Sequence, residues 1–343
     1  MPTVAPAFPS AAYWNIWLRL GRVSNLPTVW SNTVTGALLG WIGLHNGAQV
    51  ATQSYPGVAQ LVFLMLAFSL IYTGGMFLND AFDAAIDARE RPDRPIPAGL
   101  VSRKQVFLSG FVLLLLGVLT VALVAMSSTD SFAATDRHPV RSPIAAIVAA
   151  SALVAMVVLY DMWHKNNPLS PLLMGLCRVL VYVTAAFAVT GFNLSTPLLS
   201  GVVALLGYLI GLTAIAKQEN LQSVSSFWPL ALLFMPPVIA VWLTAELSVL
   251  LISLVVLFAL WTGYVVRVLV ENKPGAIPRC VGMMIAAISL VDMLMVAAVA
   301  VIVSRNAETV LSDDAGLTFW VWMVFCLLCF GVTRVLQRFV PGT

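Results

Sequence analysis

Charge is what this sequence has least of. Among 343 residues only 10% are charged, against 60% that are hydrophobic, and the mean hydropathy is +0.94. A water-soluble domain carries about 25% charged residues. So few charges cannot cover a surface of this size, which excludes a water-soluble globular protein. We therefore expect a protein whose solvent is lipid.

Cysteine and excess charge of one sign are scarce as well. Four cysteines do not make a disulfide framework, and a net charge of +3 is too small to indicate binding to nucleic acid. The opening MPTVAPAFPSAAYW has no basic residue and no early apolar run, so no cleavable signal peptide is expected. We also find no appended soluble domain.

Long apolar stretches recur through the whole chain. A transmembrane helix needs about 20 apolar residues, and ten stretches approach that length: 26–45, 58–79, 104–126, 143–161, 171–191, 197–216, 228–245, 247–270, 280–303 and 316–337. The runs are continuous and not alternating, which indicates helices and excludes barrel strands. The predicted fold class is all-α, a polytopic membrane bundle in a single domain, with its seventh span kinked at Pro236 and Pro237.

The basic residues support this count. With ten spans, 15 of the 18 lysines and arginines fall on one side of the membrane, and only Arg137, Arg141 and Arg305 fall on the other. Short basic loops stay cytoplasmic. Both termini are therefore predicted to be cytoplasmic.

Two glycine pairs with GxxxG spacing lie inside predicted spans. They are Gly36 with Gly40, and Gly207 with Gly211. Small residues one turn apart let helix backbones approach closely. We expect both pairs to mark tight packing within the chain.

The acidic residues concentrate after the second span. Five of the 15 lie between positions 80 and 93, in the stretch NDAFDAAIDARERPDRPIPAG. Asp80, Asp83 and Asp87 are spaced i, i+3 and i+7, so a helix continuing out of the span places their carboxylates on one stripe. Neighbouring carboxylates repel, and a cation relieves that repulsion. Oxygen ligands without nearby histidine or cysteine favour Mg²⁺, which completes its coordination with water and substrate phosphate.

Arginines follow these aspartates directly. Arg89, Arg91 and Arg94 are interspersed with prolines, which end the helix and stiffen the loop. Guanidinium groups beside carboxylates and Mg²⁺ suit the outer oxygens of a diphosphate. An interfacial loop of ordinary salt bridges is the alternative, but the ordered spacing and the three prolines favour a site for a phosphorylated substrate.

This segment resembles the first aspartate-rich motif of the UbiA superfamily of intramembrane prenyltransferases, NDxxDxxxD followed by RPxRPIPxG. Every specified residue is present between Asn79 and Gly99. The resemblance implies an all-helical fold, normally of nine spans around a central cavity, so that the span at 316–337 is an addition. The stretch LRLGRVSNLPTVW also resembles an EboC-like branch of the superfamily.

The resemblance further implies Mg²⁺-dependent transfer of a prenyl group from an isoprenyl diphosphate to an aromatic or lipid acceptor within the membrane. Asp83 and Asp87 are then expected to be catalytic. The expected metal ligands in this motif are Asp80, Asp83 and Asp87, and the expected diphosphate contacts are Asn79, Arg91 and Arg94.

The loop after the fourth span, LYDMWHKNNPLSPLLMGLCR, is similar to the tyrosine and lysine segment of the family at Tyr160 and Lys165. There the lysine contacts diphosphate, and the tyrosine lies near the reacting allylic carbon, where a ring face favours a developing cation. An interfacial aromatic and a cytoplasmic charge are the ordinary alternatives. Asp161 either binds metal or pairs with Lys165. Arg178, seven residues into the fifth span, is expected to face the cavity or the diphosphate.

The loop after the sixth span departs from the family, whose second aspartate motif belongs there. Residues 213–226 read TAIAKQENLQSVSS and contain no aspartate. Glu219 is a candidate Mg²⁺ ligand, and Lys217 a candidate replacement for the charge of a second metal. A site with one Mg²⁺ and a protein without catalysis, which binds or transports an isoprenoid or lipid, both stay open.

Two polar residues inside spans are further cavity candidates. Asn32 lies near the start of the first span, where the family often places a polar cavity residue. Asp292 lies midway along the ninth span, and an ionisable group at that depth is a functional candidate by default. Asp292 either orients or deprotonates an acceptor, or pairs with a buried polar group. A proton-coupled carrier is less favoured, because no inverted pair of broken helices is evident.

Overall fold

The computed structural model describes residues 11–44, 56–130, 142–165, 167–217, 228–271, 273, 275–306, 313–340 and 342. Within these ranges the regular elements are all helices, and no strand occurs. The helices are α1 (Ala11–Leu20), α2 (Leu26–Leu44), α3 (Val58–Glu90), α4 (Arg103–Asp130), α5 (Ile144–Trp163), α6 (Ser170–Thr190), α7 (Thr196–Ala216), α8 (Pro229–Leu232), α9 (Met235–Thr244), α10 (Val249–Val270), α11 (Ala276–Asn306) and α12 (Asp313–Leu336), with a short 3-10 helix, Val23–Asn25, before α2. The predicted all-α fold class is confirmed.

Eight helices are long and apolar enough to cross a membrane, namely α3 to α7 and α10 to α12. They coincide with eight of the predicted spans. The seventh predicted span is a broken helix made of α8 and α9. Pro236 and Pro237 lie at the start of α9, where their missing N–H groups leave no helical hydrogen bond unmade. The protein is an integral membrane protein.

The remaining predicted span, α2, has 19 residues but is not among the helices that are apolar enough to cross a membrane by composition. It packs against α3, α6, α7, α11 and α12. Its polar side chains have no exposed surface: Thr28, Ser31, Asn32, Thr33 and Thr35. Polar groups are costly against lipid, whereas inside a bundle they find partners. α2 is therefore a central helix on which the others pack.

α3 reaches beyond the membrane. Its 33 residues span roughly 50 Å at 1.5 Å per residue, compared with a hydrocarbon core of about 30 Å. The last turns present Asp80, Asp83 and Asp87 on one face, where these residues are 8%, 6% and 3% exposed. The predicted helix and its carboxylate stripe are both present.

The first glycine pair lets α2 and α6 approach closely. A Cβ atom added at Gly36 would lie 2.6 Å from the Tyr182 Cα, and one at Gly40 would lie 2.6 Å from the Ala186 Cβ. No side chain fits in such a gap. The second pair packs in the same way against α8 and α9, so both pairs mark tight helix packing, as predicted.

We expect Gly36→Ala to lower the free energy of unfolding by about 1–3 kcal/mol, because the added methyl group collides with the Tyr182 backbone. Thermal unfolding of the purified protein in lipid nanodiscs measures this loss. The matched control is Gly263→Ala in α10, where an added Cβ meets nothing within 4 Å. The control should be neutral or slightly stabilising. Equal losses in the two variants would contradict the packing interpretation.

Candidate active site

The aspartate-rich end of α3 is covered by the loop that follows it. The Arg91 N–H donates to the Asp87 carbonyl at 2.8 Å, and the Arg94 N–H donates to the Arg91 carbonyl at 3.1 Å. Prolines in this loop prevent the helix from continuing. The chain turns at Gly99, whose φ of 72° lies in the left-handed region that favours glycine. The loop thus carries Arg94 back over the carboxylates.

Two arginines neutralise the first and third carboxylates. Arg94 Nη1 donates to Asp87 Oδ2 at 2.9 Å and to Asp80 Oδ1 at 3.2 Å. Arg22, from the turn before α2, donates to Asp80 Oδ1 at 3.4 Å and to Asn79 Oδ1 at 3.5 Å. Burial lowers the pKa of Arg22, but the Asp80 carboxylate together with Tyr72, Tyr160 and Asp161 outweighs burial, so that the pKa is raised. The Arg22 guanidinium therefore stays charged.

The middle carboxylate is held from the end of α5. Lys165 Nζ lies 3.4 Å and His164 Nε2 3.5 Å from Asp83 Oδ2. The Tyr160 ring stacks on the His164 ring, with centroids 5.0 Å apart. The structure thus brings Tyr160 and Lys165 to the aspartates, as predicted. Sequence reasoning missed His164, although its place one turn after Tyr160 and beside Lys165 is a usable signal.

Asp161 pairs with the motif and not with Lys165. Its Oδ1 accepts a hydrogen bond from Asn79 Nδ2 at 3.1 Å. The interpretation of Asp161 as the partner of Lys165 is wrong, because the lysine reaches Asp83 instead. Asn79 therefore links α3 to α5.

Most of these groups line a cavity of about 330 Å³, namely Arg22, Asn79, Asp83, Asp87, Arg94, Tyr160, His164 and Lys165. Its other walls include apolar side chains of α7 and α11, among them Leu212, Val281 and Ile285. An apolar chamber of about 70 Å³ adjoins it between α3, α5 and α6, and Tyr72 and Tyr160 line both spaces. The site joins a charged mouth to apolar space.

Arg178 lies away from the aspartates. Its Nη1 donates to Asn32 Oδ1 and its Nη2 to Thr28 Oγ1, both at 3.1 Å, and its Cζ lies 5.4 Å from the Tyr72 ring centroid. Tyr72 precedes Asp80 by eight residues on α3, which is roughly 12 Å along a helix. Arg178 lines the cavity, which was one of the two alternatives predicted for it. The structure does not place it beside the residues that are predicted to contact the diphosphate.

Asn32 and Asp292 form a buried network. Asn32 Nδ2 donates to the two Asp292 carboxylate oxygens at 3.0 and 2.9 Å, and the hydroxyls of Ser31 and Tyr182 donate to the same carboxylate. Neither Asn32 nor Asp292 lines the 330 Å³ cavity. Their prediction as cavity residues is therefore corrected: both lie behind its wall, and Asn32 touches the cavity residue Arg178.

The first residue of the loop after α7, Lys217, is among the described residues. Lys217 Nζ donates to the backbone carbonyl of Asn167 at 2.6 Å, and Lys217 does not line the 330 Å³ cavity. This geometry does not support the predicted contact between Lys217 and the diphosphate. Glu219, the other predicted metal ligand, lies outside the described residues.

The carboxylates fit Mg²⁺ that arrives with a substrate. Asp83 and Asp87 line the cavity and carry the hard oxygen donors that Mg²⁺ prefers. Within the described part of the chain, no three His, Cys, Asp or Glu side chains meet closely enough to hold a metal by themselves. One or two carboxylates suffice when substrate phosphate supplies further ligands. A cation bound together with a diphosphate fits this donor set.

The chain after α12 also reaches the site, which no motif signals. Gln337 Nε2 donates to Asn25 Oδ1 at 3.2 Å. Asn25 Nδ2 in turn donates to the Tyr72 hydroxyl at 3.2 Å and to the Gly342 carbonyl at 2.9 Å. Gly342 lines the cavity. Only the folded path of the chain brings these residues together.

The sequence pattern of the UbiA prenyltransferase family matches residues 37–291. The chain belongs to the UbiA prenyltransferase family. The matched range contains the whole of α3 with its three aspartates, and the end of α5 with Tyr160 and Lys165. α12 lies after the UbiA match, where the sequence places an additional helix.

The UbiA-family relatives match over short stretches. The digeranylgeranylglyceryl phosphate synthase of Pyrococcus horikoshii is 34% identical over 91 residues, which are 26% of this chain and 32% of that protein. The protein of the same name from Methanoregula boonei is 48% identical over 58 residues, which are 17% of this chain and 21% of that protein. The chain therefore spans about a third or less of the length of these relatives.

Two solved UbiA structures share the fold. The apo structure of a homolog from Aeropyrum pernix has a TM-score of 0.54 at 16% identity, covering 80% of this chain and 97% of that one. A homolog from Archaeoglobus fulgidus, bound to GPP and Mg²⁺, has a TM-score of 0.53 at 13% identity, covering 84% and 99%. At such identities the likeness concerns the fold alone.

We expect Arg94→Gln to lower the free energy of unfolding by about 1–3 kcal/mol, because it removes the ion pair of the buried Asp87 carboxylate and leaves Asp80 with Arg22 as its cationic partner. Thermal unfolding in nanodiscs without Mg²⁺ measures the loss. Added Mg²⁺ should stabilise the variant more than the wild type, since the cation replaces the guanidinium. Arg91→Gln is the control, because that side chain on the same loop is exposed. Equal stability of Arg94→Gln and wild type would contradict the interpretation that Arg94 neutralises these carboxylates.

Proposed function

We propose that the protein is a Mg²⁺-dependent prenyltransferase that transfers a prenyl group from an isoprenyl diphosphate to a hydrophobic acceptor and releases diphosphate. One observation carries the proposal. The buried carboxylates of α3, with Arg94 and Lys165 beside them, stand at the mouth of a cavity that continues into apolar space. Diphosphate and isoprenoid need opposite surroundings, and this site supplies both.

Arg94 and Lys165 hold and orient the diphosphate in this mechanism. The allylic C–O bond breaks, its electron pair leaves with the diphosphate, and the two cations stabilise the charge that develops there. Asp83 and Asp87, which line the cavity, would hold Mg²⁺, which supplies further neutralisation of the leaving group when bound. Arg91, on the same loop and in the cavity wall, is a further diphosphate contact.

The apolar chamber takes the isoprenoid tail. Apolar walls exclude the water that would capture an allylic cation. Tyr160 lines both the chamber and the charged cavity, so its ring lies where the reacting carbon passes between them. The acceptor forms the new bond to that carbon and loses a proton.

The acceptor is aromatic or lipid, and the relatives favour a lipid. The proteins from Pyrococcus horikoshii and Methanoregula boonei are both named for the synthesis of a glyceryl phosphate lipid. The apolar walls that α7 and α11 contribute to the larger cavity suit the hydrophobic part of such a molecule.

The charged mouth and both termini face the cytoplasm in this proposal. The distribution of basic residues supports that orientation, with 15 of 18 on the side of the aspartate motif. Protease protection of a tag fused after Thr343 tests it. The tag should be protected in intact cells and digested in inverted vesicles.

A second candidate is a UbiA-like membrane protein that binds or transports an isoprenoid or lipid without turnover. Residues 213–226 contain no aspartate, and Lys217 is held by a backbone carbonyl. Without aspartates in this loop, the site lacks the second aspartate motif that the family carries there. Binding would then persist while catalysis is lost.

The decisive assay compares wild type with the double variant Asp83→Asn and Asp87→Asn. Protein in nanodiscs is incubated with Mg²⁺, labelled prenyl diphosphates of several lengths and a lipid extract of its host, and diphosphate release is followed with label transfer. We expect the double variant to lose at least about 100-fold in transfer rate, because the leaving group is no longer neutralised. The matched control is Asp93→Asn, an exposed carboxylate on the loop that follows α3, which should keep the wild-type rate.

The outcomes separate the candidates. Transfer that depends on Asp83 and Asp87 supports the prenyltransferase and yields a labelled product that identifies the acceptor. Binding of prenyl diphosphate without release favours the second candidate. A double variant as active as wild type would overturn the assignment of the site.

A further inference from the structure

Arg178 is a cavity cation whose side-chain contacts are all neutral. It lines both the 330 Å³ cavity and the 70 Å³ chamber. Its guanidinium contacts Asn32, Thr28 and the Tyr72 ring, and no ion pair joins it to a described carboxylate. By contrast, an aspartate pairs with each of Arg22, Arg94 and Lys165. The charge of Arg178 is thus left for a ligand.

A buried chain of hydrogen bonds holds this guanidinium in place. Asn32 accepts from Arg178 through its Oδ1 and donates to Asp292 through its Nδ2. Asp292 has no exposed surface, and Ser31 and Tyr182 donate to the same carboxylate. Because Asn32 separates the two charges, Asp292 offsets the burial of Arg178 without covering its cavity side.

The position of Arg178 is distinct from the diphosphate site. Arg178 contacts the ring of Tyr72, which precedes Asp80 by eight residues on α3, a rise of roughly 12 Å at 1.5 Å per residue, and no ion pair joins Arg178 to an aspartate of the described motif. A diphosphate held by the aspartates does not extend across that distance. A ligand of Arg178 is therefore a different chemical group, located where the charged cavity meets the apolar chamber.

We propose that Arg178 binds an oxyanion head group, phosphate or carboxylate, on the acceptor, and that Asp292 is a positioning residue that acts on Arg178 through Asn32. This inference rests on the proposed transferase function, since only a transferase has an acceptor. It defines the acceptor class as an anionic amphiphile. The head group meets the guanidinium, and the apolar part lies along the α7 and α11 walls.

The test measures anion binding while the aspartate site is occupied. Purified full-length protein in phosphatidylcholine nanodiscs is titrated with dodecyl phosphate, dodecanoate or dodecanol, in saturating Mg²⁺ and inorganic diphosphate. We expect at least one of the two anions to bind at least about tenfold more tightly than dodecanol, because a charge-assisted hydrogen bond forms. The preferred anion then identifies the head group. Displacement by diphosphate would place both anions at the aspartates and overturn the proposal.

Four variants separate binding from structural support. Arg178→Gln should weaken binding of the preferred anion at least about tenfold, whereas Arg178→Lys, which keeps the charge but not the guanidinium contacts to Asn32 and Thr28, should weaken it by a smaller factor. Asp292→Asn should weaken it by a smaller factor, because the guanidinium loses its anchor and not its charge. Arg267→Gln, an exposed arginine of α10, is the matched control and should bind as wild type does.

Unchanged anion affinity in folded Arg178→Gln would overturn the proposal. If Arg178→Gln does not fold, the anion affinity of Asp292→Asn is the deciding measurement. An affinity equal to that of wild type would show that Asp292 does not position Arg178, and would overturn the proposal. The double variant Asp83→Asn and Asp87→Asn should keep anion binding even though it loses transfer. Failure of the transferase function and failure of the Arg178 site are thus read from different measurements.

Discussion

The burial of three carboxylates on one face of α3 is the constraint on which the site depends. Asp80, Asp83 and Asp87 are each less than 10% exposed, and carboxylates so placed need cations near them. Those cations come from separate parts of the chain: the turn before α2, the loop after α3 and the segment after α5. The ion pairs therefore tie the ends of three helices together. The ion pairs that neutralise the aspartates therefore also form the mouth of the cavity.

A second constraint acts deeper in the bundle, where lipid offers no hydrogen bonds. α2 carries polar side chains that lipid would penalise, so it occupies the centre and finds partners on α6 and α11. Gly36 and Gly40 let α6 approach closely enough for Tyr182 to reach Asp292. Close packing thus supports a polar network that ends at Arg178 in the cavity wall.

Together these two networks divide the cavity by chemistry. At the mouth, carboxylates and cations neutralise one another, and an arriving diphosphate with its metal ion can exchange partners with them. Further in, a cation is held by neutral groups and faces apolar walls. In the proposed reaction the first region takes the leaving group and the second takes the acceptor, with Tyr160 on the boundary with the apolar chamber.

Sequence by itself determined that this is a helical membrane protein, where its spans lie, and that Asp80, Asp83 and Asp87 share one stripe. Composition and helical periodicity act within a single segment, so each can be read locally. Only the tertiary structure decided that His164 reaches Asp83 and that Arg178 bonds Asn32, away from the aspartates. Contacts between helices depend on the rotation and depth of each helix. Those are set by packing between distant segments, which no local pattern contains.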